Sequence, residues 1–260
     1  MIATPFMYVY LNNTSYSALP KVIFFSVYAI ILLLFWYLCD RETLLEVDTI
    51  DKTLLLYMFL LLMNLIITPD LSLTIWGRPT REEGILTLFV YILLYFISRK
   101  HFRLNLKYFH GVLVVVSLVS FHGIMQYHGY DFMPRSDFQE NWSRAFSTFG
   151  NPNFLGSYLV LMLPIIMYAY VYKAMKNQQW INFYLPVAGL VYYCLLATLT
   201  RSGWVGFFLS SLVLIILAKR QGISWKYLIV LFSSLGVVTI GFDMLSHGQV
   251  FGRLLRMYQD

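Results

Sequence analysis

Charge is scarce in this sequence. Of its 260 residues only 12% are Asp, Glu, Lys or Arg, against about 25% in soluble globular chains. Apolar residues make up 59%, and the mean hydropathy is +0.65. A soluble fold would scatter charge along the outer face of every helix. This chain leaves eight long apolar stretches with none: 22–38, 53–67, 85–98, 109–127, 153–172, 181–199, 203–218 and 227–242. A soluble enzyme and a nucleic-acid partner are excluded on that pattern. Cysteine is also rare. Cys39 and Cys194 lie far apart, in or beside apolar stretches, and read as small buried apolar residues, so a disulfide scaffold is excluded too. No cleavable signal peptide is legible. The first long apolar run is preceded by Lys21 alone and ends at Cys39-Asp40, without a small-residue cleavage site.

What remains is a multi-pass membrane protein. Backbone in lipid must satisfy its own hydrogen bonds, so the apolar stretches are expected to be helices. Four are long enough to span alone. The other four need tilt, flanking residues or snorkelling Lys and Arg. The expected fold is an all-α polytopic bundle of about eight spans. Residues 1–243 form the helical domain, and 244–260 begin an outer loop.

Loop charges give the orientation. Loops 39–52, 99–108, 173–180 and 219–226 hold 11 Lys and Arg, against 8 in the opposite set with the N-terminal segment. The first set is denser, which places it in the cytoplasm. The net charge of +6 then reports orientation and lipid headgroups before it reports a polyanionic partner. Trp36, Trp180, Trp204 and Trp225 fall at span ends, with Trp76 and Trp142 in outer loops, as interfacial indoles should.

Polar groups converge on the outer side. Asn64 lies near the outer end of the second span. His122 and Gln126 lie one turn apart on the fourth. Thr198, Thr200 and Arg201 mark the outer end of the sixth. Arg78, Arg81, Arg144, Asn151 and Asn153 lie in outer loops. Each residue singly is explained by capping or by headgroups. As a set they point to a site open to the outer surface.

Three segments carry most of the information. In Arg144-Ala145-Phe146-Ser147-Thr148-Phe149-Gly150-Asn151-Pro152-Asn153, Gly150 permits a tight turn, Asn151 is a good N-cap and Pro152 suits the first helical position. The fifth span should start here with its N–H groups facing outward, where an anion can dock. Capping alone explains Asn151-Pro152 but not Arg144 or Asn153. In Thr198-Leu199-Thr200-Arg201-Ser202-Gly203-Trp204, a tight helical hairpin carries one charge. Arg201 either snorkels to headgroups or turns into a cavity. In Trp76-Gly77-Arg78-Pro79-Thr80-Arg81-Glu82-Glu83-Gly84, two glutamates suit the first turn of the following helix, and the segment reads as a structural loop. Asp48…Asp51 reads as a surface loop.

These segments, with His122-Gly123-Ile124…Gln126-Tyr127…Gly129…Asp131, resemble in order and spacing the motifs of the O-antigen ligase and polymerase superfamily, over about residues 70–220. The resemblance implies the membrane part of a GT-C-type enzyme: an inverting glycosyltransferase that needs no metal or cofactor. Its partners would be a polyprenyl-pyrophosphate-linked glycan donor, a glycan or lipid acceptor, and membrane lipids. It would ligate or polymerise O-antigen, capsule or teichuronic-type polysaccharide at the outer face of the bacterial cytoplasmic (inner) membrane. Arg144 and Arg201 match the arginines that hold the pyrophosphate. Asn151, Asn153, Arg78, Arg81, His122 and Gln126 would support them. Family members have more spans, and a late outer loop that supplies a catalytic histidine. The chain therefore reads as an N-terminal portion, with that histidine beyond Asp260 and the catalytic residue unassigned. His247 is not tied to it. The competing class is a transporter or flippase of a lipid-linked or anionic substrate, which would need polar residues toward the cytoplasmic side of its spans.

Overall fold

The computed structural model describes residues 9–11, 14–16, 18–39, 48–78, 83–101, 106–131, 143–176 and 181–253. Two compact units divide the chain, Met1–Tyr108 and Phe109–Asp260. Helix dominates both. Among the described residues a hairpin departs from this, with β1 (Val9–Leu11) and β2 (Thr14–Tyr16) paired antiparallel and Val9 opposite Tyr16.

The first unit holds helices α1 (Ala18–Cys39), α2 (Thr49–Ile67), α3 (Leu71–Trp76) and α4 (Ile85–His101). Ala29 of α1 packs with Val90 and Leu94 of α4. Helix α2 begins at a capping box. The Asp48 carboxylate accepts from the Ile50 and Asp51 N–H groups at 2.8 and 3.0 Å, and the Asp51 carboxylate accepts from the Asp48 N–H at 3.0 Å. Asp51 is buried, and both carboxylates pair with Arg99 of α4. Asp48…Asp51 is thus a helix start tied by charge to a neighbouring helix, not a surface loop. Trp76 likewise closes a helix. Asp70 caps α3 by accepting from the Leu73 N–H at 3.0 Å, and Gly77, at φ 83°, ends it.

The second unit contains α5 (Leu106–Tyr127) from Phe109 onward, a 3₁₀ turn (Ser147–Phe149), α6 (Pro152–Met175), α7 (Ile181–Ala197), α8 (Arg201–Arg220) and α9 (Trp225–Leu245). A last helical turn occupies 249–253. Helix α6 is central. Its Leu155, Leu159, Leu163 and Met167, one turn apart, are fully buried with Val119 of α5, Ala188, Val191 and Leu195 of α7, and Leu231 of α9. In lipid, helices associate through close packing more than through water exclusion, and small residues let backbones approach. A Cβ on Gly156 of α6 would lie 3.3 Å from Thr200, and one on Gly206 of α8 3.0 Å from Val160. Pro164 and Pro186 lie inside α6 and α7, as buried membrane helices tolerate.

Among the described residues, five helices are long and apolar enough to cross a membrane: Thr49–Ile67, Tyr108–Tyr127, Pro152–Met175, Arg201–Arg220 and Trp225–Leu245. Three shorter apolar helices, Val22–Leu34, Ile85–Arg99 and Phe183–Ala197, occupy the remaining charge-free stretches. The chain is a helical membrane protein. A helix of 20 residues rises about 30 Å, the thickness of a bilayer's hydrocarbon core.

Candidate functional site

The site is built where three helix ends of the second unit meet. Helix α6 starts at Pro152, with Asn151 as N-cap accepting from the Asn153 N–H at 2.8 Å and Gly150 left-handed at φ 71°. The expected cap is formed as its residue types dictate. Helix α7 ends at Ala197, and α8 begins at Arg201 with Thr200 as an N-cap that makes no side-chain cap bond. Leu199 turns the chain between them in the left-handed region, at φ 50°. A leucine there costs about 1–2 kcal/mol. Full burial of its side chain holds it in place.

A helix C-terminus leaves carbonyls without intrahelical donors and carries a partial negative charge. At α7 three successive carbonyls are taken. That of Ala197 accepts from the Ala145 N–H at 3.0 Å. That of Thr198 accepts from Arg144 Nε at 2.8 Å. That of Leu199 accepts from Arg253 Nη1 at 2.9 Å. Arg144 Nη2 also donates to Thr200 Oγ1 at 3.0 Å and Asn153 Oδ1 at 3.2 Å. Its donors therefore meet three neutral oxygens, drawn from the ends of α6 and α7 and the turn into α8. Burial first, and then the charge of Arg253, lower the Arg144 pKa from its ordinary value. An arginine held this way stays cationic.

Helix α5 fixes the segment that carries Arg144. Gln126 Oε1 accepts from both the Phe146 and Ser147 N–H groups at 2.8 Å. Gln126 Nε2 donates to Asp131 Oδ2 at 2.7 Å. His122 lies between Ser147 Oγ, 3.1 Å from Nδ1, and Asp131 Oδ1, 3.3 Å from Nε2. Ser147 Oγ donates to the Val119 carbonyl at 2.9 Å. His122, Gln126 and Ser147 are all buried. This network stabilises Ser147 at φ 48°, outside the region that a serine ordinarily adopts. His122 and Gln126 thus support the loop from beneath and do not face solvent. An apolar cleft of about 520 Å³ opens between α5, α7 and α9, lined by Ile124, Pro186, Gly189, Tyr193 and Val238 among others.

Of the residues expected at the site, Arg144, Asn151, Asn153, His122 and Gln126 gather in this network. Arg201 is the exposed first residue of α8, directly after the Thr200 that Arg144 contacts. Arg78 is exposed just beyond α3 in the first unit. Arg81 lies outside the described residues, as do Trp142 and Trp180. The sequence reading missed Arg253, the Leu199 carbonyl and Ser147. The positions of Thr198 and Thr200 were legible as outer polar groups, but not as the acceptors of an arginine. The chain matches no family model, no curated protein and no solved structure.

Proposed function

We propose that this protein is a membrane glycosyltransferase that ligates or polymerises polyprenyl-pyrophosphate-linked glycan at the outer face of the bacterial cytoplasmic membrane. In that reaction the acceptor hydroxyl oxygen attacks the anomeric carbon, and the carbon–oxygen bond to the diphosphate breaks. The diphosphate departs with the bonding electrons, and the hydroxyl proton passes to solvent water. Negative charge grows on the leaving group, and guanidinium forks stabilise it with paired hydrogen bonds. The observation that carries the reading is the setting of Arg144. It is a partly buried guanidinium held by neutral oxygens, on the turn whose next residue is Arg201. Supporting it, the N-terminal ends of α6 and α8 border the same turn, and such ends favour anions. The apolar cleft suits the isoprenoid part of the donor.

The test is binding of a short polyprenyl diphosphate by the purified chain, with surface-glycan length scored in cells that depend on the protein. Arg144→Ala and Arg201→Ala are expected to abolish both while membrane insertion stays intact. Normal binding and normal glycan length in both variants would refute the role. For orientation, Cys introduced at Ser202 and at Gln221, the two ends of α8, should react with an impermeant maleimide from opposite sides, Ser202 from outside.

A further inference from the structure

We propose that Arg253 is a third binding residue of the anion site, which makes the site selective for a diphosphate over a single phosphate. The inference rests on the function proposed above and extends its site to a residue from the far end of the chain. Arg253 arrives by construction. The chain reverses after α9 through His247 and Gly248, at φ 55° and 80°. Asp243 Oδ1 then accepts from the Val250 and Phe251 N–H groups at 2.9 and 3.2 Å, Val250 is buried in the core, and the Gly252 N–H donates to the Gly248 carbonyl at 2.9 Å. A turn fixed at these points delivers the guanidinium to the Leu199 carbonyl at 2.9 Å. Arg144 occupies the carbonyl of the preceding residue at 2.8 Å.

Two guanidinium groups on consecutive carbonyls repel each other. The repulsion is felt at Arg144, whose pKa Arg253 helps to lower. An anion bound to both relieves it. One phosphate presents one cluster of oxygens, whereas a diphosphate presents two linked clusters and engages separate forks bidentately.

The experiment titrates the detergent-solubilised full chain with inorganic pyrophosphate and, separately, with inorganic phosphate. Arg253→Gln removes the charge and keeps a shorter, neutral donor on the side chain. The expected result is unchanged melting, pyrophosphate affinity down by about ten-fold, and a reduced preference for pyrophosphate over phosphate. Unchanged affinity and preference in Arg253→Gln, with affinity lost in Arg144→Gln, overturns the role of Arg253 and leaves the proposed function standing. Failure of the unaltered protein to bind pyrophosphate removes both. Should Arg253→Gln not fold, phenylglyoxal modification of the unaltered protein decides the question by mass spectrometry. Pyrophosphate should protect Arg253 together with Arg144. Protection of Arg144 alone overturns the inference.

Discussion

Two arginines, one in each unit, meet opposite fates. Arg99 of α4 faces the carboxylates of Asp48 and Asp51, and its charge is matched within the fold. Arg144 faces two carbonyl oxygens and a hydroxyl, with no carboxylate paired to it among the described residues. Both side chains lie between helices, so location does not separate them. The partners do. A guanidinium held by carboxylates is an internal fastener, whereas one held by neutral dipoles keeps its full charge for an incoming anion. The surroundings differ in the same sense. The apolar window of α2 is 6% buried within the chain and that of α6 is 44% buried. The fastener therefore stands in a loosely covered set of helices, and the charge available to a ligand stands above a dense core. Preorganised charge needs such rigid support.

The sharpest way to break this contrast is to keep both charges and change their shape. Arg144→Lys removes the fork that reaches the Thr198 carbonyl, Thr200 and Asn153 together. Hydrogen bonds to charged groups are worth about 1.5–3 kcal/mol each, so diphosphate affinity is expected to fall by about a hundred-fold. Arg99→Lys should leave binding unchanged. Equal losses in the two variants would erase the distinction.

A smaller effect is expected beneath the loop. Gln126→Ala takes the acceptor from two buried N–H groups, at about 1–3 kcal/mol each. Its melting temperature should drop, and diphosphate affinity should fall by about ten-fold as Arg144 loses its mounting. Gly156→Ala is gentler still, because the new Cβ would press on Thr200 from 3.3 Å without removing any partner of Arg144. A change of about two-fold in affinity is expected. At the end of the series, Asp51→Asn should lower thermal stability through the lost pairing with Arg99 and leave diphosphate binding untouched. Weakened binding in Asp51→Asn would show that the matched pair also serves the site.

Parts of the site were legible because they obey local rules. Gly150-Asn151-Pro152 announces a turn, a cap and a first helical residue from chemistry that spans three positions. The His122–Gln126 spacing announces a shared face, although not that the face points inward to hold Phe146 and Ser147. Where local rules misled, a distant partner intervened. Asp48 and Asp51 read as loop carboxylates until Arg99, 48 residues beyond Asp51, is brought against them. Arg253 carried no signal, since it is one of two arginines after the last apolar stretch and looks like any interfacial charge.

Long uncharged stretches have to become helices, because lipid offers a peptide group no alternative partner, and that much is written in residue order alone. Which side of each helix is covered is not written there. Helix α6 is apolar all round, so only its neighbours select the buried line from Leu155 to Met167. The same holds for the arginines. Their charge belongs to the sequence, but whether a carboxylate or a carbonyl receives it depends on groups that approach from far along the chain, and only packing brings those together.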